Sequence, residues 1–321
     1  MRVYYSDHFD LALPAGHRFP GTKYGMLRRK LVEERIVEEN MLIASPLAAR
    51  DEIAAAHDPV YVAAIETGAI SPAAMRRIGF PWSEQIWTRA RATMGGALAA
   101  ARAALEDGVG GQLAGGTHHA HHDFGAGYCV FNDFAMVAVT LLGRTAKQPL
   151  VPAKAGTQPS PAMDPGFRRD KRVRKIAIVD LDVHQGDGTA AMLAGRADVF
   201  TFSVHGEKNF PFRKERSTLD VELPDGAEDA AYLAALADHL PAVWAFRPDL
   251  VLYQAGVDPL KEDRLGRMAL THQGLMERDR MVLGEAKRRG VPVSIAVGGG
   301  YADPIEASVE AYANTWRVAF T

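Results

Sequence analysis

The sequence has little of what several classes of protein require. Cys129 is the only cysteine among 321 residues, which excludes an internal disulfide and a cysteine-rich zinc site. The 37 basic and 39 acidic side chains give a formal net charge of −2, so no charge excess indicates nucleic acid or a membrane surface as a partner. The first residues lack the apolar run of a signal peptide, and no later segment is long and apolar enough to span a bilayer. We therefore expect a cytoplasmic protein; its oligomeric state is not predicted.

Hydrophobic residues make up 47% of the chain, and their spacing predicts the fold class. Short apolar runs alternate with helical patterns, which is typical of an α/β protein with a central, mainly parallel sheet between two layers of helices. The ends of such strands are where open α/β sheets place their functional sites. We expect strands at residues 3–5, 112–114, 175–182, 199–203, 250–255 and 293–297, and helices at 24–39, 83–106, 132–142, 227–246, 271–289 and 303–320.

One segment, residues 147–174, interrupts this alternation. It contains five prolines and no hydrophobic period, and it is long for a connection between a helix and a strand. We interpret it as a flexible surface insertion within a single domain that spans residues 1–321. A domain boundary is the alternative, but the α/β pattern resumes immediately after it.

The segment 178–188 carries an unusual group of polar side chains at the end of an apolar run. Asp180, Asp182 and His184 are spaced by two residues, so on an extended strand their side chains share one face. Burying two carboxylates beside each other is costly unless a positive charge lies between them. A metal cation meets that requirement.

Asp258, which follows the predicted strand 250–255, is the candidate for a third ligand. Taken alone, an aspartate before Pro259 is more simply a turn residue. Together with Asp182 and His184 it forms a three-ligand set that leaves a coordination position open for water or substrate. Zinc suits such a set, and ferrous iron is an alternative that the oxygen-rich ligands would accept.

Four histidines lie within the segment 115–123, also at a predicted strand end. They could be metal ligands, a solvated patch, or general acid–base groups beside a metal-activated water. Asp180 and Asp187 flank the proposed ligands without a metal role of their own, and such carboxylates usually orient a histidine and raise its basicity. We therefore assign His118 and His119 to catalysis and expect the other two, His121 and His122, at the surface.

Three glycines precede Tyr301 at the end of the last predicted strand. No lysine follows, so a phosphate-binding loop is not indicated. The glycines would instead bring Tyr301 close to the metal, where its hydroxyl could donate to an oxyanion; a core tyrosine at a strand end is the alternative. With a metal-activated water and a histidine as base and acid, the set of residues predicts amide hydrolysis.

These residues resemble the histone deacetylase superfamily of zinc amidohydrolases, in particular its bacterial members of the class IV kind. The resemblance covers residues 4–320 except the segment 147–174, and it implies the arginase–deacetylase fold. Three groups of residues carry it: His118-His119 with the segment 127–133, the segment 180–188, and the segment 255–258 with 298–301.

The resemblance implies a role for each site residue. Asp182, His184 and Asp258 would be the zinc ligands, and His119, supported by Asp187, would be the general base and acid. The remaining roles would be held by His118 with Asp180 for electrostatics, Tyr301 for the oxyanion, and Gly127, Tyr128 and Phe210 for the substrate channel. A structural potassium ion near Asp180, Asp182, His184, Ser203 and Val204 is implied as well.

The substrate implied is an acylated lysine or a related acylated amine. Acetylpolyamine deacetylation uses the same residues and is the nearest rival, and a catalytically silent scaffold that binds acyl-lysine is a second. An arginase-like manganese hydrolase would need further carboxylates around Asp182. We expect a carboxylate at the rim of the channel, with Glu84 as the candidate, and note that Lys23 and Tyr24 stand where many relatives have histidine and arginine.

Overall fold

The computed structural model describes residues 1–9, 11–14, 16–143 and 173–321. The predicted insertion 147–174 therefore lies outside the described residues except for its last two. Of these, Val173 is buried, and the main-chain N–H of Arg174 donates to the carboxylate of Asp249 at 2.8 Å. Those two residues belong to the folded part of the chain and not to an insertion.

Eight strands and ten α-helices alternate along the described residues. The strands are β1 (Arg2–Tyr5), β2 (Leu42–Ala44), β3 (Val109–Gln112), β4 (Ile176–Asp180), β5 (Val199–Gly206), β6 (Leu219–Leu223), β7 (Leu250–Gln254) and β8 (Val293–Ala296). The helices are α1 (Lys23–Glu33), α2 (Arg50–Ile53), α3 (Pro59–Thr67), α4 (Pro72–Ile78), α5 (Glu84–Asp107), α6 (Asp133–Leu142), α7 (Asp187–Leu193), α8 (Asp229–Ala245), α9 (His272–Arg289) and α10 (Ile305–Phe320).

The described strands form one sheet in the order β2-β1-β3-β8-β7-β4-β5-β6, and every pair is parallel. The predicted α/β class with a parallel sheet is confirmed. The two strands that the sequence did not predict, β2 and β6, are the edges of the sheet. These two strands are less completely buried than the central ones, so their short or alternating patterns carry a weaker signal than the apolar strands at the centre.

Two hydrophobic cores lie on opposite faces of the sheet. In β4, Ala177 and Val179 pack with helices α1, α8, α9 and α10, whereas Ile176 and Ile178 pack with helices of the other layer, α2 to α6. Because successive side chains of a strand point to opposite faces, a strand between two helical layers needs apolar residues at every position. This explains the unbroken apolar run before Asp180.

Several predicted boundaries are wrong in ways that matter for the site. Strand β4 ends at Asp180, so Asp182 and His184 lie in the loop after it and not on one face of a strand. Strand β3 likewise ends at Gln112, two residues earlier than predicted. Helix α1 ends at Glu33 because Arg35 adopts a positive φ of 54°, which reverses the chain. The functional side chains therefore sit on loops that the parallel strands hold together.

No helix of the described residues is long and apolar enough to cross a membrane.

Candidate metal centre and active site

Three buried ligand side chains converge where β4 and β7 end. These strands are neighbours in the sheet, so the loops that follow them meet. The Nδ1 atom of His184 lies 3.0 Å from Oδ1 of Asp182 and 3.1 Å from Oδ2 of Asp258, and the three candidate ligand atoms lie within 4.8 Å of one another. Asp258 is fully buried and accepts a hydrogen bond from the main chain of Val183. The structure thus brings the three predicted ligands together.

The electrostatics of this cluster require a positive charge. Burial and the neighbouring charge of Asp182 raise the pKa of Asp258 to about 7. Burial alone would lower the pKa of His184, but its contacts with Asp182 and Asp258 outweigh burial and raise that pKa to about 10. Two buried carboxylates this close retain a proton between them or recruit a cation. One imidazole and two carboxylates therefore fit a divalent metal ion in both charge and donor type.

Close backbone approach at Gly299 makes room for the carboxylates. Its N–H donates to Oδ2 of Asp182 at 2.7 Å, and a Cβ atom at this position would lie 1.9 Å from Oδ2 of Asp258. Any residue other than glycine would displace a candidate ligand. Sequence reasoning attributed these glycines to the position of Tyr301, whereas Gly299 accommodates the ligand carboxylates.

The first histidine–aspartate pair, His118 with Asp180, lies next to the ligand Asp182. The Nδ1 atom of His118 donates to Oδ2 of Asp180 at 2.7 Å, and its Nε2 atom is 3.8 Å from Oδ1 of Asp182. Burial would lower the pKa of His118, but the charges of Asp180 and Asp182 together raise it to about 9. In the metal-free protein the His118 side chain is therefore an imidazolium at neutral pH.

The second pair has the same hydrogen bond but a different environment. The Nδ1 atom of His119 donates to Oδ1 of Asp187 at 2.6 Å, and its ring centroid lies 4.8 Å from that of Phe210. Burial lowers the pKa of His119 to about 4, and the charge of His118 acts in the same direction against the opposing effect of Asp187. His119 is therefore a neutral imidazole at neutral pH, with Nδ1 occupied and Nε2 left to accept a proton.

A pocket of about 1070 Å³ leads to both histidines and to the ligand cluster. The three predicted channel residues, Gly127, Tyr128 and Phe210, line it, as does Tyr301. Gly127 lies so close to the histidine that a Cβ atom there would be 2.6 Å from the ring of His119. The ring centroids of Tyr128 and Tyr301 are 6.0 Å apart. Burial raises the pKa of Tyr301 well above its ordinary value, so its hydroxyl keeps the proton it would donate.

Two other predictions about the neighbourhood of the site need correction. Glu84 is exposed at the start of α5 and is not among the described residues that line the pocket. His122 is exposed as expected, but His121 is partly buried, and its Nε2 atom lies 3.9 Å from the carboxylate of Asp187. Asp187 thus contacts two histidines, and Asp180 contacts one.

Sequence reasoning missed Arg278, a fully buried residue of α9. Its guanidinium donates to the carbonyl oxygens of Leu181 and Gly256 and forms an ion pair with Asp279 at 2.8 Å. Leu181 precedes Asp182 and Gly256 lies two residues before Asp258, so a single side chain joins both ligand loops. Its position in a helix far along the chain offers no local signal.

Lys23 is a second buried cation without a predicted role. Its Nζ atom donates to the carbonyl oxygen of Gly300 and to the hydroxyl of Tyr312, and it lies 4.7 Å from the ring centroid of Tyr301. Burial lowers its pKa to about 8. A lysine in this position restrains the turn that carries Tyr301.

His57 and Asp133 form hydrogen bonds with the main chain on either side of His118 and His119. The Nδ1 atom of His57 donates to the carbonyl oxygen of His121 at 3.0 Å, and its Nε2 accepts the N–H of Asn132 at 2.9 Å. The carboxylate of Asp133 accepts the main-chain N–H groups of Gly116 at 2.8 Å and Thr117 at 3.0 Å. Both ends of the short segment that carries His118 and His119 are thereby anchored to buried side chains.

Comparisons with known proteins agree with this geometry. A family model described as a histone deacetylase domain matches residues 17–150 and 166–318. The chain belongs to the histone deacetylase family. The predicted family is therefore confirmed, and the chain is a member of a metal-dependent family of deacetylases with a candidate metal site at Asp182, His184 and Asp258.

Individual relatives of this histone deacetylase family member span nearly its whole length. It is 39% identical to an uncharacterised protein of Picosynechococcus sp., over 99% of this chain and 97% of that protein. It is 26% identical to histone deacetylase 2 of Arabidopsis thaliana, over 93% of this chain and 74% of the relative. A crystal structure of a histone deacetylase homologue complexed with SAHA superposes with a TM-score of 0.77 at 24% identity, over 98% of this chain and 82% of the homologue, and this likeness supports the fold.

Proposed function

We propose that the protein is a zinc-dependent deacylase that hydrolyses the amide of an acylated lysine or a related acylated amine. The observation that carries the proposal is the convergence of the three ligand side chains and two histidine–aspartate pairs at the inner end of one pocket. A scaffold that only binds acyl groups has no need of the neutral base, the charged histidine and the protonated tyrosine together.

Each side chain has a task in that reaction. Zinc held by Asp182, His184 and Asp258 would supply a Lewis acid that polarises the amide carbonyl and lowers the pKa of a water molecule. The neutral Nε2 of His119 accepts a proton from the attacking water and returns it to the amine nitrogen as the C–N bond breaks. The hydroxyl of Tyr301 donates to the carbonyl oxygen as that atom gains negative charge.

The remaining residues orient the reacting groups or enclose the substrate. Asp187 holds His119 in the tautomer whose Nε2 is free. His118, paired with Asp180, would act on negative charge at the inner end of the pocket through electrostatics, and Gly127, Tyr128 and Phe210 enclose the acyl-bearing chain. Ferrous iron in place of zinc, a potassium ion near Asp180, and the cytoplasm as location remain predictions.

The ligand assignment is tested by Asp258→Ala with Asp238→Ala as its control, because Asp238 is an exposed residue of α8. Asp258→Ala should leave the purified protein without zinc and without turnover of acetyl-lysine peptides, whereas Asp238→Ala keeps both. A full complement of zinc in Asp258→Ala, measured by metal analysis, would refute the assignment.

The activity itself is tested on the wild-type protein with acetyl-lysine peptides, longer acyl-lysine peptides and acetylpolyamines. Turnover of an acyl-lysine supports the proposal, and turnover of acetylpolyamines alone supports the rival. Zinc-loaded protein that binds acyl-lysine without hydrolysing any of the three would establish the scaffold.

A further inference from the structure

The mouth of the pocket is lined by positive charge. A substrate must pass the exposed residues of the lining before it reaches the buried ligand cluster. Those exposed residues include five cationic side chains from four segments of the chain: Arg18, Arg77, Lys208, Arg264 and Arg267. With a formal net charge of −2, the chain as a whole is not basic, so this concentration is local.

Three of these cations lie on segments next to residues of the channel. The carbonyl oxygen of Arg77 accepts the N–H of Gly127 at 3.3 Å, and the N–H of Arg264 donates to the carbonyl oxygen of Tyr301 at 3.3 Å. Lys208 lies two residues before Phe210 in the loop after β5. Three of the five cations therefore lie on segments that border residues of the channel that the proposed substrate chain would use.

Among the described residues that line the pocket, no carboxylate is exposed at its mouth. The acids that line the pocket are Asp182, Asp187 and Asp258, and all three are buried at its inner end. Arg18 and Arg77 form no ion pair with a described carboxylate. The other three mouth cations approach Glu207, Asp303 and Asp225 at 3.2, 3.8 and 3.1 Å, respectively. These three carboxylates lie outside the pocket lining but offset part of their partners' charge, so the net positive charge of the mouth comes mainly from Arg18 and Arg77.

We propose that the substrate of this site is an anionic acylated amine, with one or more carboxylates near the chain that carries the scissile amide. The inference rests on the proposed deacylase activity and names its substrate class. A cleft lined by one sign of charge concentrates ligands of the opposite sign and raises their association rate by about 10- to 1,000-fold. Arginine also binds carboxylates in a bidentate geometry, which would position the substrate as well as attract it. A polycationic acetylpolyamine would meet repulsion at the same entrance.

The experiment compares Nε-acetyl-lysine peptides that differ only in flanking residues: glutamate, glutamine or lysine on both sides. We expect kcat/KM for the glutamate peptide to exceed that for the glutamine peptide at least about tenfold, and the lysine peptide to be the poorest. The advantage should shrink when ionic strength rises from about 0.01 M to about 0.15 M, because the Debye length falls from about 30 Å to about 8 Å. Nα,Nε-diacetyl-lysine, which carries one carboxylate and no free amine, against its carboxamide distinguishes a small anionic substrate from an acidic peptide.

A matched pair of variants locates the effect at the mouth. Arg77 and Arg76 are adjacent exposed residues of α4, but Arg77 alone lines this pocket. Arg77→Glu should shrink the advantage of the glutamate peptide over the lysine peptide, whereas Arg76→Glu keeps it. Equal kcat/KM for all flanks, or a preference for lysine flanks in the wild type, would overturn this inference and leave the deacylase activity standing. Absence of turnover with every substrate would overturn both.

Discussion

The two histidine–aspartate pairs are built from adjacent residues and nearly identical hydrogen bonds, yet one histidine is charged and the other is neutral. The His118–Asp180 contact is 2.7 Å and the His119–Asp187 contact is 2.6 Å, and both histidines are buried. The pKa of His118 is raised to about 9, although burial opposes the shift, and burial lowers that of His119 to about 4.

The difference comes from the next neighbours and not from the hydrogen bond itself. His118 faces a second carboxylate, that of Asp182, at 3.8 Å, whereas His119 faces the ring of Phe210 and the positive charge of His118. One pair therefore supplies a fixed positive charge and the other a neutral base. A paired carboxylate orients a histidine, but the total charge around the ring decides its protonation.

The strongest test of this comparison removes each imidazole in turn. His119→Ala should lower kcat about 10²- to 10⁴-fold, because it removes the group that accepts and returns the proton. His118→Ala should lower kcat by a smaller factor, because it removes only a charge. The measurement is the turnover of an acetyl-lysine peptide at equal zinc content, so that loss of metal does not imitate loss of catalysis. Equal losses in the two variants would break the comparison.

Replacing Asp187 or Asp180 by asparagine tests the same difference between the two pairs, with smaller expected effects on kcat. Asp187→Asn should lower kcat about 10- to 100-fold, because the base loses the charge that raises its basicity and fixes its tautomer. Asp180→Asn should lower kcat less, since Asp182 still faces His118. If kcat fell further in Asp180→Asn than in Asp187→Asn, the roles of the two pairs would have to be exchanged.

His57 supports the loop that carries both pairs, so its loss should affect stability without distinguishing between them. Burial lowers its pKa from 6.5 to about 4. A lowered histidine pKa stabilises the fold above pH 6.5, and this stability is lost as the pH falls through 4. Between pH 7 and pH 5 the wild type should lose about 2 kcal/mol of unfolding free energy from this group.

Urea unfolding at the two pH values measures that loss. His57→Gln should be less stable at pH 7 but should lose about 2 kcal/mol less than the wild type on acidification. A variant at the exposed His122 serves as the control and should behave like the wild type. An unchanged pH dependence in His57→Gln would contradict a buried neutral His57.

Much of the sheet and the ligand residues could be predicted from the sequence because their signals are local. An unbroken apolar run followed by Asp182 and His184 indicates a central parallel strand with polar ligands at its end. Helix α4 could also have been predicted, since Ser71 caps it, Pro72 begins it and Gly79 ends it in a left-handed conformation. These three residues are sufficient to predict a helix over residues 72–78 from the sequence.

What could not be predicted depends on contacts between distant parts of the chain. Arg278 donates to Leu181 and Gly256 across 97 and 22 residues of sequence. The separation of the two histidine pKa values likewise requires the 3.8 Å approach of Asp182 to His118, which the loop after β4 creates. A sequence pattern can indicate which histidine pairs with which aspartate. The protonation state of each histidine depends on the charged groups that lie near it in the folded protein.

The most direct test of the different protonation states is ¹⁵N NMR of the histidine rings in the metal-free protein, because a bound metal would add its own charge beside Asp182. The His118→Ala and His119→Ala variants assign the two signals. At pH 7 we expect His118 as an imidazolium and His119 as a neutral ring protonated at Nδ1, with pKa values of about 9 and about 4. If both rings were neutral, both were charged, or His119 titrated above His118, the account would be contradicted.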